Sequence, residues 1–200
     1  MEPKKRDTSR KRNSILDAAI HAFQQKGFDN TSMDYVAEVA GASKRTVYNH
    51  FPSKEALFQA MMDRCLDEMR QLKQIGYDSE AELAPQLKEF AVAKAAATRD
   101  PQMMGVMKIA MGVLISQPDV AQTTMQKIAT MENTLALWLD AAIADNRIVA
   151  CDTQTASDLF YGMVSGNLFW PALLSGALSD DHCDRLADEL VAMFLQKYQA

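Results

Sequence analysis

The chain has 200 residues, almost half of them hydrophobic, and a formal net charge of −5. Its length suffices to bury a core in one or two domains. No apolar run approaches the ~18 residues of a membrane span, no signal peptide is expected from the charged N-terminus, and the widely spaced Cys65, Cys151 and Cys183 suit neither a disulfide framework nor a zinc site. The expected compartment is therefore the cytoplasm, with no metal and no cofactor. The charge is unevenly placed. Residues 1–60 hold ten Lys/Arg and seven Asp/Glu, and residues 61–200 hold eleven and nineteen, so a basic head of +3 precedes an acidic body of −8. That polarity suits a molecule that docks one end on a polyanion.

In chain order, residues 1–12 read as a basic, flexible arm. A first helix is predicted from about Arg10 to Lys26, its apolar stripe formed by Ile15, Ala19, Ala22 and Phe23. Asn30, Thr31 and Ser32 offer N-cap oxygens for a second, short helix. Gly41 follows it, where a helix C-terminus favours a residue that tolerates positive φ. Ser43 caps a third helix, KRTVYNHF. Val47 and Phe51 are four apart and share its inner face. Lys44, Arg45, Thr46, Tyr48, Asn49 and His50 are left outward or at the flank. Pro52 ends that helix, Ser53 caps the next, and Lys54 lies in its first turn. A lysine there opposes the helix dipole, and it is accounted for if the helix end and the lysine together hold a phosphate.

The fourth helix is predicted to run from Ser53 to about Gln74, with Leu57, Met61 and Cys65 on one face. A break follows at Ile75–Asp78. Further helices are predicted over about 80–98, 101–116, 118–145, 153–174 and 180–198. No segment alternates as a strand would. The fold class is all-α, with about nine helices. An N-terminal three-helix head containing a helix-turn-helix, residues 13–54, joins a larger helical domain, residues 55–200.

Two short helices joined by a tight turn, the second basic and aromatic on its outer face, are the pattern of a helix-turn-helix that enters the DNA major groove. The stretch from about Ser14 to about Met61 resembles the TetR/AcrR family of bacterial transcriptional regulators. The resemblance is carried by the joint spacing of Lys26-Gly27-Phe28, Val36-Ala37, Gly41, Ser43-Lys44, Thr46-Val47-Tyr48, Phe51, Lys54-Glu55 and Leu57. It implies DNA contacts from Thr31 or Ser32, from Ser43, Lys44, Arg45, Thr46, Tyr48, Asn49 and His50, and from Lys54 as a phosphate clamp. Two positions depart from the family pattern: Arg45 stands where a small residue is common, and Asn49 where an aromatic is frequent. A guanidinium at Arg45 could pair with guanine O6 and N7, a contact worth about 1–3 kcal/mol of discrimination.

The body has no fixed motif. Met103, Met107, Met111, Met131, Trp138, Phe160, Met163, Asn167 and Trp170 form an adaptable apolar set. It reads either as the lining of an effector pocket between helices or as ordinary core packing. The resemblance implies that the last two helices pair across a two-fold axis, which assigns Leu168, Leu186, Leu190, Met193 and Phe194 to dimerisation. A homodimer also follows from DNA geometry, since one recognition helix reads few base pairs and two, one turn apart, read a palindrome. The expected partners are thus a double-stranded DNA operator, a second copy of the chain and a small-molecule effector, with no membrane. The expected function is a sequence-specific regulator, a repressor released by a small apolar or amphipathic effector. The alternative is an architectural or weakly specific DNA binder without an effector. An enzyme is not expected, because His21, His50 and His182 have no nucleophile or carboxylate at catalytic spacing and no phosphate loop, CxxC or HExxH occurs.

Overall fold

The computed structural model describes residues 8–71, 75–129, 133–176 and 178–200. Met131, of the effector set, and residues 1–7 of the arm lie outside them. The chain divides into two compact units, Met1–Met69 with Gly105–Ala129, and Arg70–Met104 with Thr130–Ala200.

The first unit holds α1 (Thr8–Lys26), α2 (Met33–Val39), α3 (Lys44–His50) and most of α4 (Lys54–Gln71). It also takes α6 (Pro101–Ser116) from Gly105 onward, and α7 (Pro118–Ala129). The predicted stripe of α1 is its buried face: Ile15, Ala19, Ala22 and Phe23 are all within 1% of full burial. Phe28 folds back and stacks between Phe23 and Phe58, at centroid distances of 5.2 and 5.6 Å. Leu57, Met61 and Cys65 face the same interior. The expected arm is shorter than the sequence suggested, because Thr8–Arg12 already belongs to α1.

Gly41 has φ +53°. Its N–H bonds the Glu38 carbonyl and the Ala42 N–H bonds that of Ala37, at 3.1 and 3.0 Å. These are the two reversed bonds of a Schellman ending, which needs the left-handed geometry that glycine supplies without a Cβ clash. The turn between α2 and α3 is therefore fixed by a single residue.

The second unit holds α5 (Leu83–Ala96), a 3-10 turn (Ala97–Arg99), α8 (Thr134–Ala144), α9 (Thr153–Val164), a π turn (Ser165–Phe169), α10 (Trp170–Ser175) and α11 (Asp180–Tyr198). Its helix α11 packs chiefly on α5, and α8 on α9. The buried centre includes Leu87, Phe90, Trp138, Leu139, Phe160, Val164, Val191 and Phe194. Gln86 is buried within it and fully engaged. Its amide nitrogen donates to the carbonyls of Asp78, Ala81 and Glu82. Its oxygen accepts from the Asp78 N–H and from the Trp138 indole, at 2.9 and 3.1 Å. Arg147 ties the same turn from outside, reaching the carbonyls of Ser79 and Ala81 at 2.9 and 2.7 Å.

Two predicted helices are divided. The span 118–145 is α7 and α8, because Asn133 leaves helical geometry (φ −92°, ψ 91°) and its side chain accepts from the Ala136 N–H. The span 153–174 widens at Ser165–Phe169, where the Trp170 N–H bonds back five residues to Ser165. Pro171 supplies the cause: it has no N–H for the preceding turn, and its ring would meet the carbonyl four residues back. The expectation of no strand holds for the described residues save for one isolated bridge, Ile148 with Gln199.

Candidate nucleic-acid interface

α3 is seven residues long and has no acidic residue. Ser43 caps it, its hydroxyl oxygen accepting from the Thr46 N–H at 3.1 Å and sharing a hydrogen bond with the Thr46 hydroxyl at 2.7 Å. Val47 is 0% exposed and Phe51 2%, so the two side chains predicted to anchor this helix do so. Lys44, Arg45, Tyr48 and Asn49 are exposed, and Thr46 and His50 are half-buried at the flanks. The helix thus presents a contiguous surface of donors, one phenol and two cations. Sidedness alone produces this, since every apolar position is spent on the interior.

Four groups beside α3 differ from the simplest reading of the sequence. Thr31 is buried, and its hydroxyl donates to the Gly27 carbonyl at 2.7 Å and faces that of Ala22 at 3.3 Å. It closes the end of α1, and Ser32, exposed, is the α2 cap, accepting from the Tyr35 N–H. Of the expected pair, only Ser32 is open to a DNA backbone. Lys54 is half-buried, and its ammonium donates to the carbonyls of Phe28 and Asp29, at 2.7 and 3.1 Å, and lies 4.5 Å from the Phe28 ring centroid. It staples the α1–α2 connection to the start of α4, which leaves one of its three N–H donors for a phosphate. Glu55, next to it, is held below the usual carboxylate range, first by its own backbone N–H and then by the Ser53 hydroxyl. Arg12, exposed, stacks its guanidinium 4.9 Å from the Phe51 ring centroid, at the end of α3. The sequence reading placed it in the flexible arm, whereas the structure puts it in α1, with its guanidinium over a side chain 39 residues away.

The fourth group is Asp34. Its carboxylate accepts from the Lys44 ammonium at 2.5 Å across an open concavity of about 590 Å³ lined by both helices. Both side chains are more than half exposed, so this pair contributes little to stability. Its consequence is electrostatic, because a lysine expected to meet DNA is neutralised while DNA is absent. Asp34→Asn is expected to raise affinity for random duplex several-fold at low salt and to steepen the salt dependence by about one counterion per head. Operator affinity should rise less, so the specificity ratio falls. Titrating both duplexes at two salt concentrations checks this, and an unchanged ratio would mean that the pair is incidental.

The effector set is dispersed. Trp138 and Phe160 sit in the core of the second unit. Trp138 is packed edge-on by Tyr77 and Phe90, at 5.4 and 6.3 Å. Phe160 is packed edge-on by Phe194 at 5.2 Å. Met163 packs half-buried against that core, whereas Asn167 and Trp170 are exposed. Met103 is buried at the start of α6. Met107 and Met111 are half-buried in the first unit, where a cleft of about 500 Å³ beside α1 is lined by Gly105, Lys108, Ile109 and Gly112 of the same helix instead. Among the dimerisation residues, Leu168, Leu190 and Phe194 belong to the protomer's own core, with Leu186 packed against it. Met193 is 59% exposed, and Leu174 and Trp170, on α10, are 81% and 39% exposed. No helix among the described residues is long and apolar enough to cross a membrane.

Comparison with known proteins agrees with this geometry. Residues 15–61 match the family described as bacterial regulatory proteins, tetR family. Residues 85–200 match the AefR-like transcriptional repressor, C-terminal domain. The HTH-type transcriptional regulator RutR of Escherichia coli K12 is 45% identical over 62 residues, a match that spans 31% of this chain and only 29% of that relative. The crystal structure of a TetR family transcriptional regulator from Pseudomonas syringae pv. tomato DC3000 is 32% identical, covers 97% of this chain and 98% of its own, and has a TM-score of 0.81. The flavonoid-responsive regulator FrrA is 28% identical over 96% of this chain and 98% of its own, with a TM-score of 0.77.

Proposed function

Since this chain belongs to the TetR family of transcriptional regulators, we propose that it is an operator-binding repressor, active as a homodimer and released by a small apolar or amphipathic effector. One observation carries the DNA-binding part: α3 buries Val47 and Phe51 and spends every other side chain on an acid-free outer face. In this reading residues 13–54 form the DNA-binding head and residues 55–200 the effector-binding and dimerising domain. Lys44 and Arg45 meet base edges and phosphates. Ser32, Ser43, Thr46, Tyr48, His50 and the remaining donor of Lys54 follow the backbone, which sets register without reading sequence.

Dimerisation places two copies of α3 about 34–36 Å apart on successive major-groove faces. The exposed Trp170, Leu174 and Met193 support a second copy as their cover better than the buried leucines do. The effector acts by binding one head spacing better than the other, and DNA affinity falls by that difference. A flavonoid-responsive relative of the same architecture supports a small organic effector. The protein acts in the cytoplasm and catalyses no reaction.

Selection of bound duplexes from a random pool tests this. A palindromic consensus is expected, with half-sites about one helical turn apart. Salt-sensitive binding with no consensus would instead favour the architectural alternative.

A further inference from the structure

Three basic residues, Lys88, Lys94 and Arg99, follow one another along and just beyond α5, and the first and last are paired. Lys88 donates to Asp184 and Asp188 of α11 at 3.0 and 2.7 Å, and Arg99 to Asp180 at 2.7 Å. Lys94, between them, has no carboxylate partner among the described residues. Its ammonium lies 4.8 Å from the centroid of the Tyr161 ring, on α9. Both residues are half-buried. The pattern is notable in a body whose acids outnumber its bases by nineteen to eleven over residues 61–200. Burial alone pulls the lysine below its usual range, with no charged neighbour contributing. Asp158, one turn before Tyr161, is engaged by Gln154 at 3.0 Å rather than by Lys94.

A second feature converges on the same place. The Tyr161 phenol is raised by burial, opposed by a hydrogen bond from Thr134, which is the first residue of α8. α8 is an 11-residue helix with no acidic residue in its first turn, and its N-cap is the neutral Asn133, which accepts from the Ala136 N–H. An ammonium, a phenol, a hydroxyl and a helix N-terminus are thus brought together, and no carboxylate among the described residues pairs with the ammonium. The ring face compensates the lysine only in part. A desolvated charge left unpaired costs stability and marks a candidate site.

We infer that Lys94, with Tyr161 and Thr134, is the docking point for the acidic group of an amphipathic effector, an aromatic or aliphatic carboxylate, sulfonate or phenolate. This deepens the effector reading above and rests on it. The acidic group pairs with the ammonium and accepts from the two hydroxyls, and the apolar remainder lies along the neighbouring apolar side chains.

The test uses two fluorescent probes with one skeleton, 8-anilinonaphthalene-1-sulfonate and its uncharged counterpart N-phenyl-1-naphthylamine, titrated into the full-length protein. Lys94→Met is expected to weaken the sulfonate at least tenfold and to leave the neutral probe within twofold. Lys94→Arg should keep the sulfonate within about threefold, and Tyr161→Phe should weaken it a few-fold. Without a probe, Lys94→Met should melt at the same temperature as the native protein or higher, because it removes an unpaired charge. The inference is overturned if the sulfonate does not bind, if Lys94→Met leaves it within twofold, if both probes weaken together, or if the variant melts lower. Operator affinity measured in parallel separates the two readings. A Lys94-dependent sulfonate site with operator affinity indifferent to every compound tried would sink the switch and keep the anion site. Operator release by both probes equally, in native protein and variant, would keep the switch and sink the anion site.

Discussion

Val47→Asp should abolish measurable operator binding, a loss of at least a hundredfold, without disturbing the second unit. Val47 is 0% exposed and is the single fully buried side chain within α3. A carboxylate there has no partner, and an unpaired buried charge costs several kcal/mol. A seven-residue helix has no independent stability to draw on. The helix must therefore leave its seat, carrying Lys44, Arg45 and Tyr48 out of register with the groove. Val47→Ala is the graded control; it removes two methyl groups and is expected to weaken binding only modestly. Both tryptophans, Trp138 and Trp170, lie in the second unit, so their emission reports on that unit alone. Lost DNA binding with unchanged emission is the expected pair of results. Retained operator affinity would show that α3 is not the element that meets DNA.

Trp138→Ala should lower global stability by about 3–5 kcal/mol, as deletion of a fully packed aromatic does. That is a large share of the roughly 5–15 kcal/mol by which domains are stable. Trp138 is 2% exposed, its ring is packed edge-on by Tyr77 and Phe90, and its N–H satisfies the buried Gln86 oxygen. Trp138→Phe separates packing from hydrogen bonding. It keeps a ring in the site and loses the N–H, which is worth about 1 kcal/mol. The Asp78 N–H still reaches Gln86, so the amide is not orphaned. Chemical denaturation of both variants checks the ordering. Equal losses would mean that the Gln86 bond, rather than ring packing, dominates this part of the core.

The head was legible because its signals are local. Ser43, Gly41 and the Val47–Phe51 spacing each act within a few residues, and each occupies the role that its chemistry suggests. Thr31 and Lys54 illustrate where local reading ends. Both are polar and flank the two-helix motif of α2 and α3 in sequence, yet Thr31 turns inward to the carbonyls of Ala22 and Gly27 and Lys54 reaches residues 28 and 29. Nothing within a helical turn of either residue signals those partners. The body was less legible for a related reason. Leu186, Leu190 and Phe194 follow helical spacing, and that spacing announces a buried face without saying whether the cover is α5 or a second copy. The exposed Met193 and Leu174 lie off that stripe. Methionine content likewise does not fix a pocket, because Met107 and Met111 share a helix with a cleft that they do not line. Lys94 carries no sequence signal at all. Its distinction is that no carboxylate among the described residues pairs with it, and only the packed structure shows which acids its neighbours have taken.

In the proposed function α3 reads base edges and Arg45 does part of the reading. Selecting bound duplexes from one random pool with the native protein and with Arg45→Ala, under identical salt, decides this. A palindromic consensus is expected from the native protein. The variant should lose preference at one or two base pairs, placed symmetrically in both half-sites, while the rest of the consensus stands and affinity for the original site falls by about 1–3 kcal/mol. A consensus unchanged at every position, or one weakened uniformly, would contradict base reading by Arg45 and reduce its part to holding phosphates.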